Sequence, residues 1–469
     1  MSVDEGLHRG LSRWHALAVV VGGVIGTGIY IRPASIAQMA ATPGAIMGVW
    51  VAAALLSLGG ALSYAQLATR IPKSGGEYAY LRETLGELPA FLYGWMRLTV
   101  GIGSIAALAV AATVFLADIV PLGGEWQHWT LPWPARFITV SFGARQLIAA
   151  LIICALALIN IRGVTHAGRF QTWATSIKVL GLLGLISGVW IFGASRAPVA
   201  RYTADLAADA GSTLAYGGAL LAAMAAFNGW ANVAMLGGEV RNAERNLPWA
   251  LTAGICIAAI LYLAMNLTYL HVLSMPEILS ANSSLHPDAS SVASRAALVA
   301  LGQRVGAMLP LLFIVSSLGT LHCNLLAVPR VFFAMARDGL LQAALGRVAV
   351  STRTPVVAIA ALAAVGSLLA VLGNYDRLTN MAVFGNLTFY ALNAFGLLRW
   401  LYRGRPGAAA RSRLAMAWIP FLFLTGTICL LAALIVRGAG ETITAAAMIL
   451  AGIPVYFLMR LRRRLRRSR

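Results

Sequence analysis

Twelve apolar segments, each near the length needed to cross a bilayer, decide what this chain can fold into. A spanning helix needs ~20 largely apolar residues. The segments cover roughly 14–41, 44–68, 88–120, 144–161, 170–194, 212–238, 247–272, 306–336, 355–374, 379–401, 414–436 and 441–460. Charged residues make up 11% of the chain, against about 25% in a soluble domain. The expectation is an all-α polytopic membrane protein with 12 transmembrane helices. Met1 to Arg13 is polar and the first apolar segment is too long for a signal peptide, so none is expected.

The net charge of +20 invites a nucleic-acid partner, but the distribution of that charge argues against one. Most of the 36 Lys and Arg fall in the tails and in one alternate set of loops. The opposite set holds Arg136, Arg145, Arg196, Arg201, Arg295, Arg304, Arg377 and Arg437, and Arg32, Arg97 and Lys178 lie in or beside apolar segments. The positive-inside rule then places both termini in the cytoplasm of a cell-membrane protein. The terminal run RLRRRLRRSR reads as a topology anchor against anionic lipid. Cys154, Cys256, Cys323 and Cys429 each fall in a different apolar segment, as small packing residues do.

The first segment, WHALAVVVGGVIGTGIYIRPASIAQMAA, is interrupted. Gly22, Gly23, Gly26 and Gly28 lie within seven residues, and Pro33 follows, suited to the first turn of a new helix. The pattern reads as helix, unwound strip, helix. Bare backbone at membrane depth is tolerated only where it is buried in protein or lines a wet cavity. The freed N–H groups of Thr27, Gly28 and Ile29 suit a carboxylate at a half-helix N-terminus, and freed carbonyls near Val24 suit an ammonium. The competing possibility is a glycine seam for a packed neighbour. The sixth segment also breaks, at Phe227-Asn228-Gly229-Trp230. The two broken segments are five helices apart, and an odd-numbered unit repeated once must be inverted in the membrane. Paired interruptions in inverted halves are a pointer to a transport site.

Four motifs, in order, resemble the amino acid–polyamine–organocation superfamily, and within it the L-type amino acid transporter branch. They are GGVIGTGIYIRP, PKSGGEYAYLRETLGELPAFLYGW, FNGW with GGEVRNAERNLPWAL, and RVFFAMARDGLL. The resemblance implies a 5+5 inverted-repeat fold with helices 1 and 6 broken and an alternating-access mechanism. It divides the chain into a cytoplasmic tail 1–13, a transport core 14–401, and a segment 402–469 with two further helices and a basic tail. It implies amino acid substrates held at Val24, Gly26, Thr27, Gly28, Ala225, Phe227 and Asn228. Thr27 and Gly28 would offer N–H groups to the carboxylate, and Val24, Ala225 and Asn228 carbonyls to the amino group. Many members carry a gating aromatic where this chain has Ala225, a place that Phe227, Tyr30 or Trp230 would have to fill. No cysteine stands in 121–143 to bind a heavy subunit by a disulfide. Few lysines among many arginines and alanines suggest a GC-rich bacterial source.

Polar residues inside the segments refine the reading. No carboxylate is central in a span, so a cationic side chain would enter the membrane uncompensated, and no carboxylate proton relay is visible. Lys178, one of two lysines, lies inside the fifth segment. In sodium-independent members of the superfamily a lysine here occupies the place of a sodium ion, next to the broken first helix. His322 reads as a hydrogen-bonded interior histidine, with proton coupling as the alternative. Asn232, Asn324, Asn386 and Asn393 read as interhelical hydrogen-bonders, and Arg97 is expected to snorkel. No cofactor is expected, and no metal-ligand spacing appears.

The sum is a sodium-independent transporter of neutral amino acids, an exchanger by its branch, with proton symport as the alternative. A membrane enzyme would need catalytic groups gathered at one face, and the seven histidines are scattered. A channel would need polar stripes on several helices. A sensor of the same fold shares these features, and counterflow separates it from a transporter.

Overall fold

In the computed structural model, residues 6–123, 125–130, 139–194, 211–286, 288–372, 375–403 and 416–467 are described. The first segment forms α1 (Arg13–Val24) and α2 (Gly28–Ala40), and the second forms α3 (Pro43–Arg70). A short helix, α4 (Glu77–Thr84), precedes α5 (Glu87–Thr99) and α6 (Gly103–Ala117). A two-stranded hairpin of β1 (Glu125–Thr130) and β2 (Thr139–Gly143) leads into α7 (Ala144–Ile161) and α8 (Val164–Phe192). The sixth segment forms α9 (Thr213–Ala226) and α10 (Asn232–Met235), followed by α11 (Ala243–Val272), α12 (Met275–Leu279) and α13 (Val292–Gly306). Then come α14 (Leu309–Ala327), α15 (Pro329–Arg337), α16 (Val356–Leu372) and α17 (Tyr375–Arg403). The last helices are α18 (Trp418–Arg437), α19 (Ala439–Leu450) and α20 (Gly452–Arg467).

The fold is an all-α polytopic membrane bundle. Among the described residues nine helices are long and apolar enough to cross a bilayer, or ten with α1 and α2 taken as one bent span. The apolar helices α9 and α16 are shorter, so length and composition alone do not reach the expected twelve. The connection after α6 pairs as the β1–β2 hairpin, with Trp126 edge-on to Phe142.

Two apolar cores organise the bundle. One is built chiefly on α1, α2, α3, α9 and α11, and the other chiefly on α5, α6, α7, α14, α16 and α17. The broken helix α1 packs on α8, α11 and α14, and α2 packs on α9. The segment between α11 and α14 is latched onto α2. The Gln38 amide donates to the Leu279 carbonyl (2.6 Å) and to Ser283 Oγ (2.9 Å). The loop before α4 closes onto α10 through Gly75 and Gly76, both at positive φ. A Cβ on Gly76 would stand 2.6 Å from the α10 backbone at Ala234 and Met235, so only glycine fits this approach.

Candidate functional site

The first helix breaks where its glycines predict. Val24 ends α1, Ile25 turns out of helical geometry at ψ 88°, and α2 restarts at Gly28 with a bend of 41°. The restart places Pro33 inside α2 rather than in its first turn. Proline has no N–H to give the carbonyl four residues earlier, which is that of Ile29. Tyr269 Oη on α11 fills the vacancy, donating to Ile29 O at 3.2 Å. Among the described residues, no hydrogen bond is made by the N–H groups of Thr27, Gly28 and Ile29. They form the unpaired first turn that any helix start leaves, and Thr27 and Gly28 are only half-buried.

The sixth segment breaks in register with the first. Gly229, at φ +109°, lies against Gly23, where a Cβ on either would come within 3 Å of the other's carbonyl oxygen. Gly28 sits on α9, where a Cβ would meet Ala226 Cα and Cβ at 2.9 Å. The glycine seam and the unwound strip are therefore the same structure. The Asn228 side chain holds the second strip in shape, its Oδ1 accepting from Gly229 N (2.9 Å) and Tyr390 Oη (3.0 Å).

Two side chains saturate carbonyls that the breaks set free. Lys178 on α8 is fully buried, and its ammonium donates to Gly22 O (2.8 Å), Ile25 O (2.8 Å) and Thr320 Oγ1 (3.1 Å). An ammonium has three protons, so the three acceptors complete its needs. Gly319 leaves the room, since a Cβ there would lie 2.6 Å from Lys178 Cε. Tyr262 on α11 bridges both strips, its hydroxyl lying 2.8 Å from Val24 O and 3.1 Å from Ala226 O. Thr320, Tyr262 and Tyr269 escape a reading of the sequence. Their one visible trace is a pair of tyrosines seven residues apart on an apolar helix, where they share a face.

Comparison with known proteins decides what carries this pair of breaks. The profile of the amino acid permease family matches residues 11–459. The chain belongs to the amino acid permease family. It is 30% identical to the serine/threonine exchanger SteT of Bacillus subtilis over 463 residues, 98% of this chain and 99% of the relative. It is 27% identical to the b(0,+)-type amino acid transporter 1 of Mus musculus over 449 residues, covering 94% and 86%. It is 26% identical to the cystine/glutamate transporter of Homo sapiens over 453 residues, covering 96% and 85%.

Beside the breaks this permease holds a narrow cavity of about 20 Å³. Leu221, Met224 and Ala225 of α9 line one wall, and Val383, Asn386 and Leu387 of α17 the other. Trp230, stacked on Tyr390 at 5.1 Å, closes an end. Of the three aromatics able to stand in for a gate, Trp230 is the one that lines this space. Phe227 is buried against Trp50 and Tyr262, and Tyr30 is bonded to Ser316 and packed on Phe313. Ala225 and Asn228 thus share the cavity, whereas Val24, Gly26, Thr27, Gly28 and Phe227 do not line it.

Three charged groups of the permease are buried more deeply than their places in the sequence suggest. Glu77, in a connecting loop by sequence, is fully enclosed and accepts from Tyr64 Oη (2.8 Å) and Tyr93 Oη (2.6 Å). Glu239, just after α10, forms a bidentate pair with Arg330 of α15 at 2.7 and 3.0 Å, both side chains fully buried. Arg97 does not snorkel but is 6% exposed, a turn beyond Tyr93 on α5. His322 is the interior histidine expected, with Nδ1 2.7 Å from Gln171 Oε1 and its ring against Phe170. Of the cysteines, Cys323 is buried, and the other three lie on the outside of the bundle.

Proposed function

We propose that this permease exchanges neutral amino acids across the cell membrane without sodium, by alternating access. The observation that carries the reading is Lys178 Nζ on the carbonyls of Gly22 and Ile25. A fixed ammonium supplies there the positive charge that a bound cation would otherwise bring, and it ties α8 to the broken first helix. With an ammonium already on these carbonyls, no sodium ion is needed there.

The substrate carboxylate lies at the N–H groups of Thr27, Gly28 and Ile29, where the dipole of α2 adds to the hydrogen bonds. Gly26 leaves the approach open. The amino group is held by the carbonyls of Val24, Ala225 and Asn228, with Tyr262 giving way at Val24. The side chain lies toward the apolar cavity beside Ala225, and Phe227 backs the site from beneath. Residues 1–13 form a cytoplasmic tail, 14–401 the transport core, and 402–469 two added helices and a basic tail, with both termini in the cytoplasm. No disulfide-linked heavy subunit is needed.

Radiolabelled amino acids in proteoliposomes test this. Efflux of preloaded serine or leucine should be accelerated by external neutral amino acids and unchanged when choline replaces sodium. Lys178→Ala should abolish exchange, and Gly319→Ala, which crowds the ammonium, should slow it severely. Sodium-dependent uptake, or a fully active Lys178→Ala variant, would refute the reading.

A further inference from the structure

Glu77, the first residue of α4, is 3% exposed, yet the transport site proposed above makes no use of it. Phenols hold both of its oxygens, Tyr64 at Oε1 (2.8 Å) and Tyr93 at Oε2 (2.6 Å). We propose that Glu77 is a proton site of the permease, and that a proton bound there weakens the hold on an amino acid at the second break. The inference rests on that transport site and adds to it a second ligand, the proton.

Two phenol donors suit the ionised carboxylate, which only accepts. A proton on either oxygen makes that oxygen a donor, so the phenol facing it must reverse or give up its bond. Burial raises the carboxyl above its ordinary value, while the Tyr93 and Tyr64 bonds and the charge of Arg97 pull it down. Arg97 lies one turn beyond Tyr93 on α5, and its Nε is buried with no partner among the described residues. Two more phenols feel the carboxylate, Tyr80 on α4 and Tyr390 on α17. The other charged groups on the elements around α4 turn elsewhere. On α15, Arg330 pairs with Glu239 and Arg337 is exposed. Asp338 takes Arg82 and the phenol of Tyr78, Glu83 takes Lys73, and Glu87 accepts from Tyr456. α10, onto which the loop before α4 closes, carries no ionisable side chain.

Tyr64 links this carboxyl to the transport site. Its ring stands edge-on to Trp230, with 4.8 Å between centres, and to Tyr390 at 6.0 Å. Trp230 closes an end of the cavity beside Ala225, and Tyr390 Oη donates to Asn228 Oδ1 at the second break. A hydrogen bond to a charged acceptor is roughly twice as strong as one between neutral groups. Ionised Glu77 therefore pins Tyr64, and through it the two rings that border the break. Protonation loosens that hold whichever oxygen takes the proton. Linkage is reciprocal, so an amino acid that binds best with Glu77 ionised must drive its proton into the solvent.

The experiment titrates serine into the full-length protein in detergent, from about pH 8 to about pH 5. Calorimetry in two buffers of different ionisation enthalpy reads both the Kd and the protons released. The Kd should rise about ten-fold toward the acid end, with proton release on binding in the middle of the range. Glu77→Gln keeps one acceptor and has no proton to exchange, so it should bind serine with the weaker, acid-side Kd at every pH. Tyr93→Phe keeps the ring against Phe389 and removes one donor to the carboxylate, so the midpoint of the pH dependence should move to higher pH. A merely structural role would change the Kd without moving that midpoint. A Kd that is flat with pH, a pH dependence that persists in Glu77→Gln, or an unmoved midpoint in Tyr93→Phe would each overturn the assignment. The wild type and Tyr93→Phe keep the test decisive if Glu77→Gln does not fold. Serine binding without proton release removes the proton site alone. If neither serine nor leucine binds at any pH, the transport site is wrong and the proton site falls with it.

Discussion

Tyr269 and Ile29 meet at 3.2 Å, phenol to carbonyl, because Pro33 cannot supply the hydrogen bond that α2 would otherwise make there. The contact joins α11 to the second half of the broken helix at a fully buried point. Removing one partner of a buried pair leaves the other unsatisfied, at a cost of about 1–3 kcal/mol. Tyr269→Phe should therefore lower the unfolding temperature. In a Pro33→Ala background the new N–H takes the carbonyl, and the same Tyr269→Phe change should cost much less. A double-mutant cycle by thermal unfolding in detergent measures the difference, and equal costs in both backgrounds would show that Ile29 does not need the phenol.

Gly28 offers a test of the close approach between α2 and α9. A methyl group there stands 2.9 Å from Ala226 Cα and Cβ, too close without movement of a helix. Gly28→Ala should push the half-helices apart and reduce transport by at least ten-fold. Ala226→Gly should restore part of the loss by removing one of the two clashing atoms. If the added methyl instead crowds only the substrate carboxylate, Ala226→Gly restores nothing. Transport rates of the two single variants and the double variant, normalised to the protein reconstituted, separate these outcomes.

The breaks are legible in the sequence because glycines packed this densely into an apolar stretch weaken the helix and invite close backbone contact at the same point. Lys178 is legible because a lysine within an apolar helix needs acceptors, and the carbonyls freed at Gly22 to Ile25 are such acceptors. What surrounds them is not. Thr320 and Tyr262 are ordinary residues of apolar helices until the fold brings them to the breaks. Glu77 reads as a loop carboxylate and Glu239 as one at the end of the sixth segment because hydropathy follows the chain and cannot see it fold back. The closure of Gly76 on α10 helps to enclose the region of Glu77, and Arg330 from a distant helix matches Glu239. Pro33 departs from its expected first-turn place for a related reason, since the helix restarts at the glycine rather than at the proline.

Ala225 lines the cavity between α9 and α17. A phenyl ring at this position would overfill a narrow space already bounded by Leu221, Leu387 and Trp230. Ala225→Phe should slow exchange of leucine more than exchange of alanine or serine. Competition against a fixed radiolabelled substrate gives the ratio directly. An unchanged ratio would mean that the side chain of the transported amino acid does not enter this cavity.

Glu77 gives the permease a pH-dependent element outside its spanning helices. Burial raises its carboxyl above the ordinary value of 4.5, against the opposing pull of the Tyr93 and Tyr64 hydrogen bonds and of the Arg97 charge. The remaining titratable neighbours are the phenols of Tyr80 and Tyr390. A carboxyl whose value is higher in the folded than in the unfolded chain favours folding most when protonated. Its contribution is complete below the unfolded value and is lost as pH rises through the folded one. The unfolding temperature of the wild type should therefore increase relative to Glu77→Gln as pH falls from neutral toward 5. The amide of the variant keeps an acceptor for one phenol and cannot titrate, so its own pH profile should be flatter. If the two profiles run parallel across that range, Glu77 is equally ionised in the folded and unfolded chains, and its enclosure between Tyr64 and Tyr93 costs the carboxylate nothing.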